Sequence, residues 1–415
     1  MMYACMARQP IFDQDRSVFG YELLFRSGPE NVFCGMDDNL ATTALINDTM
    51  HVHDLPTLTD RRKCFINITK DILVQETYSF LPPELTVLEL LETVEPDREL
   101  IQACQKAKSN GYTIALDDYM LEKKFECLLP VIDILKVEFL GLDDEQRAIA
   151  AAKSRTHGFQ LLAEKVETHA DFKQAQNLGY AFFQGFFFCR PEMIQERALP
   201  ENEQSCMRLI EQLNQPEMNL DQLEEIIRQD LTLSYKLLKY LNSAAFGFRS
   251  KIESIKHAMV LLGDRQLRKW ASVVALGSIA GRKPSELLVN SLVRARFCEQ
   301  LADQLGLAAR KGDLFMLGMF SILEALLDKP MKDLIAGMPL PEDIVATLTG
   351  ESSPLSDILE IVLAFEQANW IRFGELVQSH QVEEKTICAA YSEAIVWATE
   401  LNRQLSQPVP KAEAA

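Results

Sequence analysis

Carboxylate and amide side chains recur along the first half of this 415-residue chain at the ends of short apolar runs. Glu22 follows Val18–Tyr21, and Asn67 closes Phe65-Ile66-Asn67. Glu89 and Glu92 end Val87–Glu92, and Asp117 and Asp118 end Thr113–Asp118. Lys136 follows Asp133–Leu135, Glu164 and Glu167 follow Leu161–Ala163, and Gln184 stands in Phe182-Phe183-Gln184-Gly185. Carboxylates drawn to one place repel each other unless something positive neutralises them, and a hard divalent cation is the economical counter-charge. The candidate ligands offer only carboxylate and amide oxygens, with no His or Cys among them. That donor set suits Mg²⁺ or Mn²⁺ rather than zinc. Adjacent aspartates allow one carboxylate to bridge two ions while the other holds the second, an arrangement that clamps the attacking and leaving oxygens of a phosphodiester. Lys136 is suited to acidify or orient a metal-bound water, or to offset phosphate charge.

Such a constellation needs a scaffold that brings many strand ends to one face. From Met1 to about Pro191, β-rich apolar runs alternate with helical stretches: Val18–Phe25, Cys64–Ile68, Thr86–Leu91, Tyr112–Leu116, Val131–Val137, Phe159–Ala163 and Tyr180–Phe188. Between two of them, Leu100, Ile101, Cys104 and Ala107 recur at helical spacing before the stop signal Asn110-Gly111. Strand–helix repetition predicts parallel βα units, and seven or eight of them predict a closed TIM-like (β/α) barrel whose strand ends converge. At roughly 190 residues it would be trimmed relative to the usual minimum of about 200.

After Pro191 the β signals end. The reading assigns 1–195 to the barrel, 196–205 to a linker around Pro200, 206–404 to an all-α domain and 405–415 to a frayed tail. Helical spacing in the second half is carried by Leu223, Ile226 and Ile227, by Leu233, Leu237, Leu238 and Leu241, and by Leu287, Leu288, Leu292 and Ala295. The formal charge of −18 disfavours nonspecific nucleic-acid or anionic-membrane partners. A local excess of Lys and Arg between Arg228 and Lys311 leaves room for an acidic protein partner or a phosphate-bearing ligand, although solvated helix faces explain it more simply. The nine cysteines are scattered without a Cys-x-x-Cys and read as reduced core thiols. No apolar window reaches the length of a membrane-spanning helix, and Met1–Pro10 lacks the pattern of a signal peptide; a cytoplasmic protein is expected. Neither GxxxxGK[ST], GxGxxG nor Gly-x-Ser-x-Gly occurs.

Glu22-Leu23-Leu24-Phe25-Arg26 resembles the motif that names the EAL family of cyclic di-GMP phosphodiesterases, with Leu23 for the usual Ala. Phe65-Ile66-Asn67, Leu88-Glu89-Leu90-Leu91-Glu92, Ala115-Leu116-Asp117-Asp118-Tyr119, Ile134-Leu135-Lys136, Ala163-Glu164-Lys165-Val166-Glu167 and Gln184-Gly185 follow in the family's order. The resemblance implies a TIM-like barrel that hydrolyses cyclic di-GMP to linear pGpG with two Mg²⁺ or Mn²⁺ ions. It implies that Glu22, Asn67, Glu89 and Asp117 hold the first ion, with Asp117 shared and Asp118 and Glu164 serving the second. Lys136 would stand beside the attacking water, Glu164 is the alternative general base, Glu92 and Glu167 support the site, and Arg26 and Gln184 place the substrate.

Several positions depart from the family pattern. The Phe-Gly-Thr-Gly loop after the aspartates reads Tyr119-Met120-Leu121-Glu122, the Thr of Glu-x-Thr-Glu is Leu91, the acid two after the lysine is Glu138, and the Gly between the late glutamates is Lys165, a positive charge beside a presumed ligand. These keep a second reading open, a noncatalytic adaptor that binds cyclic di-GMP or a protein. In the second half, Asp230–Gly247, Ile255–Gly263 and Leu317–Leu323 resemble the HDOD domain, a degenerate relative of the HD-GYP phosphodiesterases. His257 and His380 are its only histidines, and the place of the metal-binding His-Asp pair reads Ser321-Ile322. His53-Asp54, with His51, lies in the first half and reads as a surface turn. The helical domain is therefore expected to be noncatalytic, contacting a protein partner or the barrel, with a homodimer among the assemblies it allows.

Overall fold

The computed structural model describes residues 4–27, 55–91, 93–117, 123–189, 219–229, 255–279, 284–336 and 340–406, with isolated positions between. Asp118, Glu92, the Tyr119–Glu122 loop, His51, His53, the segment 230–247, the linker and the tail from 407 onward lie outside the described residues, while Leu405 and Ser406, expected in the frayed tail, are helical.

Eight strands close into one barrel in sequence order. They are β1 (Ala4–Phe12), β2 (Val18–Ser27), β3 (Lys63–Ile68), β4 (Thr86–Leu90), β5 (Thr113–Leu116), β6 (Ile134–Glu138), β7 (Gln160–Glu164) and β8 (Phe182–Gln184). Strands β2 to β8 pair in parallel, as the alternation predicts. β1 departs from the expected parallel set by pairing antiparallel with both β2 and β8. A tight turn at Asp13–Ser17 makes that reversal, with the Asp13 carboxylate accepting the amides of Asp15 and Ser17. Nor do the expected runs Val131–Val137 and Tyr180–Phe188 stay extended throughout. β6 starts only at Ile134, and beyond Gln184 the chain turns into a 3₁₀ segment over Phe186–Cys189.

Between strands lie α1 (Leu55–Leu58), α2 (Lys70–Val74), α3 (Arg98–Ser109), α4 (Asp144–His157) and α5 (His169–Leu178). Their ends follow local chemistry. Asp97 caps α3 by accepting the Leu100 amide, and Gly111 follows with φ +91°. Asp143 with Gln146, and Thr168 with Asp171, form reciprocal capping boxes on α4 and α5, which end at the left-handed glycines Gly158 and Gly179.

The barrel floor is one apolar layer. Ile11, Phe65, Val87, Ala115, Ile134, Leu162 and Phe182 come from seven different strands, and Phe19 of β2 packs against them. Phe19 is also the extra residue of a bulge, since Ile11 pairs with Gly20 and Phe12 with Val18.

Gly185 ends β8 with φ +144°, and a Cβ there would stand 2.2 Å from the Val166 carbonyl oxygen. That close approach holds β8 against the turn after β7, where Val166 N–H donates to the Gln184 carbonyl at 2.9 Å. Gly185→Ala is expected to cost about 3 kcal/mol through clash and backbone strain. Thermal unfolding should drop by roughly 6–12 °C; an unchanged midpoint would show that the turn can yield.

The remaining described elements are helices: α6 (Leu220–Gln229), α7 (Ile255–Ile279), α8 (Ser285–Gln304), α9 (Lys311–Phe320), α10 (Leu323–Leu327), α11 (Met331–Ile335), α12 (Glu342–Leu348), α13 (Ser356–Glu366), α14 (Trp370–Ser379) and α15 (Glu384–Ser406). α7 is interrupted at Gly263, where φ is +67°. α8 and α9 approach closely at Gly318, whose place a Cβ would bring to 2.3 Å from the Arg294 carbonyl oxygen.

The chain forms two compact units, 1–190 with 361–392 and 191–360 with 393–415. Segment 361–392 of the helical half groups with the barrel in this division. In the first unit, Phe365 packs its ring on Trp370, Phe373 and Tyr391 at 4.6–5.3 Å. Cys388 of α15 is bonded to Cys5 of β1 with Cα atoms 5.0 Å apart. This corrects the expectation that all the thiols are reduced; a pair separated by 383 residues leaves no spacing signal in a sequence. Cys64, Cys104 and Cys298 are buried and outside any disulfide, as expected. Among the described residues no helix is long and apolar enough to cross a membrane.

Candidate active site

Above the apolar floor lies a second layer, generated by strand alternation. Residues two apart share a face of a strand, so Phe65 puts Asn67 on the interior face, Val87 puts Glu89, and Ala115 puts Asp117. Ile134 likewise sets Lys136, Leu162 sets Glu164, and Phe182 sets Gln184. On β2 the bulge at Phe19 lengthens the step, and the interior residue is Glu22. On antiparallel β1 the step runs backwards, from Ile11 to Gln9, which pairs directly with Glu22. Each of the eight strands thus sends one polar side chain to the layer just inside the barrel's C-terminal face, where sites on this architecture form.

Lys136 is the centre of the ring. It is buried, and its Nζ lies 2.9 Å from Asp117 Oδ1, 2.9 Å from Glu164 Oε1 and 3.5 Å from Glu22 Oε2, with a close ion pair to Glu89 Oε1. Gln184 Nε2 donates to Glu22 Oε2 at 2.6 Å and to Gln9 Oε1 at 3.2 Å.

Four carboxylates therefore face one buried ammonium, and the titration of the groups reflects it. Burial alone would lower the Lys136 ammonium, but Glu164, Glu22, Glu89 and Asp117 more than reverse this and hold it well above the usual lysine range. Burial pushes the Glu89 carboxyl well up against the pull of Lys136, with Glu22 and Asp117 adding repulsion. The same balance pushes Glu164 up to about 8.

The ring retains unused acceptor capacity. Glu89 Oε2 and Gln184 Oε1 are buried without a hydrogen-bond donor, and buried acceptors normally find one. Unsatisfied oxygens in an all-oxygen set are what a hard divalent cation requires, so the donor chemistry fits Mg²⁺ or Mn²⁺. The carboxylates nonetheless gather on Lys136 rather than on a common vacant point: among the described residues, no group of three or more His, Cys, Asp or Glu side chains is arranged to hold a metal.

Of the residues singled out by sequence, Glu22, Asn67, Glu89, Asp117, Lys136, Glu164 and Gln184 occupy the ring. Glu167 is exposed in the turn before α5. Arg26 is on β2 opposite Cys5, beyond the ring; only its backbone is described. Gln9 was not foreseen, because Met6-Ala7-Arg8-Gln9-Pro10 lacks the alternation of a strand and contains a proline; the antiparallel pairing with β2 alone reveals its place. Lys165, the seemingly misplaced cation, turns away from the ring. Its φ is +52°, which accounts for a glycine preference there, and its Nζ pairs with Glu138 at 2.6 Å on the exposed side. Lys165→Gly relieves the left-handed backbone and forfeits a weak surface pair, so a net gain of about 1 kcal/mol is expected. Thermal unfolding and turnover measured together check this, and lost turnover would place Lys165 in the site.

In the helical region, the position expected for a His-Asp pair is Ser321-Ile322. Ser321 Oγ receives a hydrogen bond from Arg294 Nη1 at 3.2 Å and donates to the Gly318 carbonyl at 2.7 Å. His257 lies on α7, its side chain outside the described set, and His380 caps α14.

A closed barrel crowned by a lysine-centred ring of carboxylates and amides, in a chain that continues into helices, defines the class. Residues 4–191 match the EAL domain family and residues 199–328 the HDOD domain family. Over 405 residues the chain is 35% identical to the cyclic di-GMP phosphodiesterase CdgJ of Vibrio cholerae serotype O1, covering 96% of this chain and 93% of that one. It is 33% identical to the uncharacterized protein YuxH of Bacillus subtilis strain 168, covering 95% of this chain and 98% of that one. Among solved structures, an EAL domain protein from Listeria monocytogenes is similar at 22% identity and TM-score 0.35, over 45% of this chain and 87% of that one. The chain belongs to the family of proteins that join an EAL domain to an HDOD domain.

Proposed function

We propose that the barrel is a metal-dependent phosphodiesterase that opens cyclic di-GMP to linear pGpG, and that the helical region is a noncatalytic regulatory or partner-binding domain. The observation that carries this reading is the ring itself: Glu22, Glu89, Asp117 and Glu164 put carboxylate oxygens around Lys136, and 35% identity to a cyclic di-GMP phosphodiesterase over 96% of this chain supports the substrate. Glu22, Asn67, Glu89 and Asp117 would hold one ion, and Asp117, Glu164 and Asp118 a second. Bound there, divalent ions would supply Lewis-acid stabilisation of the phosphodiester oxygens.

The chain's own groups account for the rest. Glu164, 2.9 Å from Lys136 Nζ, is the alternative general base for the attacking water if it is not a ligand of the second ion. Lys136 keeps its charge throughout and tethers Glu164 and Asp117, so that the carboxylates stay in place and the anionic substrate meets less repulsion. Gln184 orients Glu22 through its amide. In the helical region Ser321-Ile322 supplies no metal ligands, so hydrolysis is assigned to the barrel alone. The local basic excess there is a reason to seek an acidic protein partner.

Incubation of the whole chain with cyclic di-GMP and Mn²⁺ or Mg²⁺, read by chromatography, tests the reading. Formation of pGpG that stops with EDTA is expected. Intact dinucleotide, bound without turnover, would favour the adaptor reading, to which the altered Tyr119–Glu122 segment lends support.

A further inference from the structure

Gln9 makes contacts in two directions. Toward the ring, its Oε1 accepts from Gln184 Nε2 at 3.2 Å, and the second N–H of that nitrogen goes to Glu22 Oε2 at 2.6 Å. Away from it, Gln9 Nε2 donates to the main-chain carbonyl of Glu366, the last residue of α13, at 3.5 Å. Four residues earlier, on the same face of β1, Cys5 is bonded to Cys388. On β2, β3 pairs with Gly20–Leu23 alone, whereas β1 and β2 remain paired out to Ala4 and Ser27. The β1–β2 ribbon therefore projects past its neighbour at the barrel's C-terminal face, and segment 361–392, part of the same compact unit, holds it at Cys5 and Gln9.

An amide has a donor end and an acceptor end, so this chain of contacts has a polarity. The Glu366 carbonyl demands the NH₂ of Gln9, which turns the Gln9 oxygen toward Gln184. That oxygen demands the NH₂ of Gln184, which in turn supplies the donor to Glu22. If Gln9 were released and flipped, its NH₂ would face Gln184 and draw out the Gln184 oxygen. Glu22 would then lose its donor and gain an acceptor opposite. We propose that Gln9 is a positioning residue through which segment 361–392 sets the amide orientation of Gln184 and hence the Glu22 carboxylate. The consequence for catalysis rests on reading the ring as a phosphodiesterase centre; the relay itself does not.

The test is a coupling cycle on the whole chain labelled with ¹⁵N-glutamine, observing the side-chain amide resonance of Gln184. The segment is loosened by Cys388→Ser. Gln9→Met removes both contacts at similar length. Gln9→Glu keeps an acceptor for Gln184 but cannot donate to the Glu366 carbonyl, and it decides the matter if Gln9→Met does not fold. Cys388→Ser is expected to shift the Gln184 resonance when Gln9 is present and to leave it unmoved in both Gln9 variants. A shift of equal size in every background, or in none, overturns the relay. In parallel, Gln9→Met should weaken Mn²⁺ binding about tenfold, as loss of a group orienting a metal ligand does. If the unaltered chain takes up no Mn²⁺, the phosphodiesterase reading fails, and the resonance still decides the relay.

Discussion

Lys136→Met is expected to be the most destabilising substitution in the barrel. It leaves Glu22, Glu89, Asp117 and Glu164 facing each other without their shared cation in a buried layer. Removing one partner from a buried ion pair costs about 3–5 kcal/mol, which lowers the midpoint of thermal unfolding by on the order of 10 °C. The loss should depend on pH. Glu164 titrates at about 8 when folded against an ordinary 4.5, so between those values the folded chain binds more protons than the unfolded one. Stability therefore falls as pH rises through that window. Without Lys136 the carboxyls hold protons still more tightly, so the variant should be nearest to the unaltered chain at pH 5 and furthest below it at pH 8. Thermal melts at both pH values check the sign. A deficit that shrinks from pH 5 to pH 8 would mean that Lys136 is not the counter-ion of the ring.

Glu22→Ala should act on turnover and hardly on folding. The substitution removes one negative charge from an over-acidic layer and leaves the Gln184 amide without an acceptor on that side, effects that oppose each other. Its expected cost in hydrolysis is large, because Lewis-acid stabilisation is worth several kcal/mol and each 1.4 kcal/mol is tenfold in rate. A fall in kcat on the order of 10³-fold, with a melting temperature within a few degrees of the unaltered chain, is the expected pattern. A variant that melts normally and hydrolyses cyclic di-GMP at an undiminished rate would remove Glu22 from the chemistry.

The strands and their polar ends were readable because a barrel repeats one rule: apolar residue, then polar residue two positions on, strand after strand. β3 to β8 obey it without exception, and their residues of the ring follow from sequence. β1 was hidden because Arg8, Gln9 and Pro10 break the apolar pattern, and with it went Gln9. The role of Lys136 was only half visible. Sequence places it at a strand end, but its use as the shared counter-ion of four acids depends on barrel closure. Lys165 looked disruptive as a letter between two glutamates; its left-handed backbone and its pairing with Glu138 show that it leaves the site alone. The grouping of 361–392 with the barrel had no local signal, since helical periodicity reveals a buried face and not the partner that covers it.

The central claim is that the ring around Lys136 is a divalent-metal site, and calorimetric titration of Mn²⁺ into the metal-stripped 415-residue chain tests it most directly. Saturable uptake is predicted for the unaltered chain and for Lys165→Gly, with uptake lost in Glu22→Ala and Asp117→Asn. No uptake by the unaltered chain, or equal uptake by all four proteins, would contradict the claim.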